Sequence, residues 1–132
     1  MSNGSRINCL FLLMLSTSVM ADDKDVYTIF KDSHLADGRA IWMENCEGCH
    51  GYGIAGSPVP MTPDDWRERL NREQSTLYRH AIEGYFGPDD SMMPPRGGNE
   101  NLTDNEVRAA VDYMTTLAKF YIQKLEKIGR AS

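Results

Sequence analysis

The sequence predicts an all-α fold of about four helices joined by Gly/Pro-rich loops. Three observations predict it. Apolar residues recur at three- and four-residue spacing in separate stretches, with no alternating strand pattern between them. The connecting stretches concentrate glycine and proline, as in residues 51–60 and 85–99. Finally, 132 residues with 41% hydrophobic and 25% charged content describe one compact domain with a single core.

The chain opens with an apolar run over residues 7–19, preceded by the lone basic residue Arg6 and followed by Val19-Met20-Ala21. That pattern reads as a signal peptide, residues 1–21, cleaved after Ala21. The run is short of the roughly 20 apolar residues that span a bilayer, so no stable membrane insertion is expected after cleavage. Residues 22–34 then form a polar N-terminal extension. The first helix is expected over residues 35–45, where Leu35, Ala36, Arg39, Ile41 and Trp42 make a one-sided pattern. Residues 51–60 are too rich in Gly and Pro for regular structure, and they let the backbone pass close to a flat ligand.

Thr62-Pro63-Asp64-Asp65 supplies an N-cap, a first-turn proline and early acids for a short helix carrying Trp66, Arg67 and Leu70. Ser75 can cap the next helix, which runs to about Glu83 and stops at Gly84. Residues 85–99 hold too many breakers for helix or strand and carry the adjacent pair Met92-Met93. The last helix opens on the capping box Thr103-Asp104-Asn105-Glu106 and continues through Val107, Ala110, Val111, Met114, Leu117 and Ala118. After Phe120 the pattern weakens, so residues 35–120 are expected as the domain and 121–132 as a charged, solvated tail.

Charge narrows the function. The net charge is -5, and loss of Arg6 with the leader makes it -6. Nucleic-acid binding needs Lys and Arg clusters that this sequence lacks, so no nucleic-acid partner is expected. Of three cysteines, Cys9 lies in the leader, leaving Cys46 and Cys49. They stand in Cys46-Glu47-Gly48-Cys49-His50. This spacing lets two thiols reach the two vinyl groups of one haem while the adjacent imidazole binds the iron. Covalent attachment suits a small exported protein, because the cofactor cannot be lost and supplies apolar surface to a small core.

Three other chemistries use such a pair. Structural zinc needs two more ligands at finger-like spacing, and His34 and His80 do not repeat the spacing. A thioredoxin-like redox pair should follow a strand in a βαβ pattern, whereas the segment before Cys46 is helical. A plain disulfide leaves His50 and the downstream methionines without a purpose.

The pieces Cys46-Glu47-Gly48-Cys49-His50-Gly51, Gly56-Ser57-Pro58, Trp66 near Arg69, Met93-Pro94-Pro95-Arg96-Gly97-Gly98 and Leu102-Thr103-Asp104 occur in one order. In that order the chain resembles the class I c-type cytochromes, and among them the small bacterial cytochrome c-five branch. The resemblance covers residues 35–117. It implies a cytochrome c fold wrapped around one covalently attached haem c, with Cys46 and Cys49 as thioethers and His50 and Met93 as axial iron ligands. Met92 is the fallback ligand. It also implies that Pro58 lines the haem and accepts the Nδ1 hydrogen of His50, and that Gly38 and Trp42 pack across Tyr113. Trp66, Arg69 and Arg96, with Tyr52 and Tyr85, are candidate haem or propionate contacts.

Physical chemistry supports a methionine ligand, since a soft, neutral thioether favours ferrous over ferric iron and raises the reduction potential. Pro94 and Pro95 stiffen the loop that would carry it. With both axial positions filled, the consistent role is outer-sphere transfer of single electrons in the periplasm. The partners would be redox proteins such as a respiratory complex, a terminal oxidase or a dehydrogenase. The alternative is a small-ligand sensor or enzyme subunit with a labile sixth coordination site.

Overall fold

The computed structural model describes residues 26–131 together with Met1. The expected leader 1–21, its cleavage point and Cys9 lie outside the described residues, as do residues 22–25 of the expected extension. Five α-helices follow one another: α1 (Ser33–Asn45), α2 (Glu47–His50), α3 (Pro63–Trp66), α4 (Gln74–Glu83) and α5 (Asp104–Ala131). Short 3-10 turns cover Ile54–Gly56, Arg69–Asn71 and Pro95–Gly98.

The frame of the fold is the crossing of α1 and α5. An ideal Cβ on Gly38 would stand 2.1 Å from the Ala109 carbonyl oxygen, so only glycine lets the two backbones approach this closely. One turn further on, the Trp42 and Tyr113 rings pack 5.8 Å apart, both fully buried. Helix α1 begins at Ser33, ahead of Leu35, because the Asp32 side chain accepts the Leu35 N–H at 3.0 Å and caps the first turn.

Residues 26–32, within the polar extension expected at 22–34, pack on the helices. Tyr27 is 4% exposed, meets the Trp42 ring edge-on at 5.0 Å and donates its hydroxyl to Glu47 at 2.9 Å. Phe30 packs on Tyr113 and Phe120, and Tyr113 and Tyr121 donate to the carbonyls of Thr28 and Val26. The segment is a strap laid across the α1–α5 crossing, and the domain therefore begins before residue 35. The other end differs as well. Helix α5 continues to Ala131 rather than ending at Phe120, because Tyr121 and Ile122 still pack on the core and Arg67 binds Glu126 at 3.1 Å.

The capping box at α5 forms as its residues require: Thr103 N–H and Oγ1 both donate to Glu106 at 2.8 Å. These bonds hold the Glu106 carboxyl below its usual pKa. Helix α4 starts at Gln74, one residue before Ser75, with no side-chain cap bond. Helix α3 is a single turn, and Leu70 falls in the 3-10 turn after it.

Residues 85–99 contain more order than their breakers suggest. Tyr85–Phe86 (β1) and Met92–Met93 (β2) pair antiparallel, with Tyr85 opposite Met93 and Phe86 opposite Met92. The turn closes because Gly87 N–H reaches Ser91 O at 2.8 Å while Asp89 and Asp90 take positive φ.

Asp112 ties three helices together. It accepts Tyr78 Oη–H at 2.5 Å and Gln74 Nε2–H at 3.0 Å from α4, and lies 2.7 Å from His34 Nε2 of α1. We expect Asp112→Ala to cost about 1–3 kcal/mol in denaturant unfolding. The hydrogen bond to Asp112 is the main cause that raises the His34 pKa above 6.5. A raised folded-state pKa adds stability that is fully present below the unfolded value and is lost as pH rises through the folded one. The thermal midpoint should therefore fall as pH climbs above roughly 6.5, and His34→Gln should flatten that slope. An unchanged slope in His34→Gln would refute the link.

A candidate haem site

The attachment motif folds as a single helical turn. Cys49 N–H and His50 N–H both point to the Cys46 carbonyl, at 3.2 and 2.9 Å. One turn thus places residues 46, 49 and 50 on the same side. Burial pushes the Cys46 thiol up to about 12, with Cys49 a smaller cause.

His50 is 6% exposed, and its Nδ1 lies 2.9 Å from the Pro58 carbonyl oxygen. A carbonyl only accepts, so Nδ1 carries the hydrogen and Nε2 keeps its lone pair. Burial lowers the His50 pKa, against a smaller opposing effect of the Pro58 bond, and so favours the neutral imidazole that a metal needs.

His50 opens onto a cavity of about 690 Å³ whose walls come from several separate segments between His50 and Met114. Pro58, Trp66 and Arg69 form part of it, Leu77 and Ala81 of α4 another part, Met92 and Met93 a third, and Val111 and Met114 of α5 a fourth. A close-packed domain of this size does not keep such a void for itself, and its volume falls in the range of ligand sites.

The polar chemistry of the walls fits a haem. Trp66 is 2% exposed, yet its indole N–H has no hydrogen-bond partner. A buried donor left unsatisfied costs about 1–3 kcal/mol. Trp66 and the Arg69 guanidinium, a cation suited to a carboxylate, stand in the same cavity wall. The apolar part of the lining, which includes Ala55, Pro58, Leu77, Ala81, Val111 and Met114, suits the body of a porphyrin.

Pairing in the small sheet separates the two methionines. Neighbouring residues in a strand face opposite sides. Met92 is 53% exposed opposite Phe86, whereas Met93 is half-buried and packs with Ala81, Val107 and Val111. Gly84, at φ 88°, lets the end of α4 approach this loop: a Cβ there would meet the Met93 carbonyl oxygen at 3.0 Å.

Other candidates sit elsewhere. Arg96 lines a smaller adjoining cavity with Trp42 and Cys46, but its guanidinium is spent on the Leu102 carbonyl at 3.0 Å and Asp104 at 2.7 Å, closing the loop ahead of α5. Tyr52 is 68% exposed and donates to Glu47. Tyr85 does line the cavity, stacked 4.2 Å from His80. His80, Leu77 and Ala81 of α4, none of them a candidate from the sequence, also line the cavity. Met114, expected as ordinary core, borders both cavities.

A helical domain built around such a cavity, with the His50 of a Cys-X-X-Cys-His motif in its wall, defines the c-type cytochrome class. Residues 33–114 match the family model described as cytochrome c oxidase, cbb3-type, subunit III, and the chain belongs to that family of cytochrome c domains. It is 39% identical to cytochrome c-555 of Prosthecochloris aestuarii, over 61% of this chain and 84% of that one. It is 30% identical to cytochrome c5 of Ectopseudomonas mendocina, over 58% and 85% of the two chains. Among solved structures it is similar to a chain of an electron transfer complex of nitrite reductase with cytochrome c. That match has 30% identity and TM-score 0.54, and covers 62% of this chain and 94% of the other. A domain of this family carries haem c with its iron, covalently bound, and the Cys46 and Cys49 pair has the attachment spacing.

Proposed function

We propose that this chain is a periplasmic carrier of single electrons, with haem iron held by His50 and Met93 and thioether bonds at Cys46 and Cys49. Haem iron supplies a one-electron couple that needs no bond made or broken. The observation that carries the reading is that His50 and Met93 line the same cavity, one anchored through Pro58 and the other through the β1–β2 pair and Gly84. Two ligands fixed by the folded chain leave little to reorganise when the charge changes.

Trp66 and Arg69 would hold the propionates, and Pro58 sets the His50 tautomer. At the mouth, Met92 and its cross-strand neighbour Phe86, which is 81% exposed, offer a small apolar contact. Such a surface suits brief docking by redox proteins. The named company of its relatives, a nitrite reductase complex and the FixP subunit of a cbb3-type oxidase, fits partners of that kind. Periplasmic location rests on the leader read at residues 1–21.

The test is rapid mixing of the reduced, haem-loaded protein with carbon monoxide. A carrier with both positions filled stays low-spin and binds nothing on the mixing timescale. Immediate binding would instead favour a sensor or an enzyme subunit.

A further inference from the structure

Helix α5 outruns the body it packs against. The face carrying Val107, Ala110, Met114 and Leu117 is buried, and the same three- and four-residue spacing continues through Tyr121, Leu125 and Ile128. Leu125 is 48% and Ile128 57% exposed, and every described residue after Ile122 is exposed. The strap adds apolar surface at this end: Val26, 42% exposed, holds Tyr121 through its carbonyl at 2.7 Å, and Ile29 is 75% exposed.

Charge is segregated in the same way. Residues 119–131 hold Lys119, Lys124, Lys127 and Arg130 against the single acid Glu126, a formal +3 on a chain whose total is -5. Glu126 is itself occupied by Arg67, the residue that follows α3.

We propose that this end of the protein is a docking surface for an anionic lipid bilayer. A helix end with cations beside an apolar stripe binds the anionic headgroup region of such membranes. A second copy is the poorer occupant, because it would set two ends of +3 against each other. A helix end exposed on all sides also meets a flat surface rather than a groove. No described helix is long and apolar enough to cross a membrane, so the association is peripheral. The acidic remainder of the chain is repelled by the same lipids, which orients the molecule with this end down. Met114, at the cavity, is eleven residues from Leu125. That is roughly 16 Å along the helix, far enough to leave the cavity mouth open to a membrane-bound redox partner.

The proposal does not depend on the axial ligands and is tested without reference to them. Haem-loaded protein is spun with vesicles of phosphatidylglycerol and phosphatidylcholine, or of phosphatidylcholine alone, and Soret absorbance is read in the pellet. Retention is expected on the anionic vesicles only, falling as salt rises. Lys124→Gln with Lys127→Gln should weaken retention roughly fivefold per lysine. Leu125→Glu should weaken it further, with the Soret and far-UV spectra of each variant unchanged. Wild type left in the supernatant, or variants that pellet like wild type, would overturn the proposal. So would a dimer that Leu125→Glu separates in the absence of vesicle binding, which would give the face to a second copy. Binding to polyglutamate that resists Leu125→Glu would give it to an acidic protein.

Discussion

Met93→Ala is expected to lower the reduction potential of the haem-loaded protein by on the order of 0.1 V or more, as axial ligands set haem potentials over most of a volt. Removing the thioether withdraws the ligand that favours ferrous iron, and water or a stronger base then favours the ferric state. The same change should make reduced protein bind carbon monoxide rapidly. Met92→Ala is the matched control, because Met92 is 53% exposed at the cavity mouth whereas Met93 is half-buried. Its potential should stay close to that of wild type. A redox titration of both variants decides the matter, and equal potentials in the two would remove Met93 from the iron.

The second large effect is on the fold. Gly38→Ala should destabilise the haem-loaded protein by roughly 3 kcal/mol or more in denaturant unfolding. Alanine gains about 1 kcal/mol of helix propensity over glycine, which alone would stabilise α1. The added methyl, however, would lie 2.1 Å from the Ala109 carbonyl oxygen and 2.7 Å from its carbon. Both are backbone atoms that cannot rotate away, so α1 and α5 must separate and loosen Trp42 against Tyr113. Gly48→Ala provides the contrast, since a Cβ there meets nothing within 4 Å. Equal stability of the two variants would show that the crossing does not depend on its glycine.

Much of the site could be read from the chain because its chemistry is local. Cys46, Cys49 and His50 fall within one helical turn, and the α5 capping box spans four residues, so spacing alone carries both. What spacing could not carry was decided by contacts between distant parts. The strap read as polar because Asp22, Asp23, Lys24 and Asp25 precede it and Lys31 and Asp32 end it, and only the α1–α5 crossing gives Tyr27 and Phe30 a place to bury. The last turns of α5 were obscured by Lys and Glu density, although Tyr121, Leu125 and Ile128 keep the helical interval. The β1–β2 pair is two residues per strand, too short to show an alternating pattern. Its existence rests on the Gly87–Ser91 turn.

His80 illustrates a different limit. Its place on α4 was evident, but the ring that stacks on it, Tyr85, comes after the helix stop at Gly84, where the chain reverses. Arg96 shows the opposite case: a cation at the right place in a motif, turned by its own positive φ toward Leu102 and Asp104 instead of the large cavity.

The most direct test of the central claim is the absorption spectrum of the oxidised, haem-loaded protein, read at the weak long-wavelength band that reports sulfur bonded to ferric haem iron. Ligation by Met93 predicts the band in wild type and in Met92→Ala and its loss in Met93→Ala. A band that survives Met93→Ala, or that wild type never shows, would contradict it.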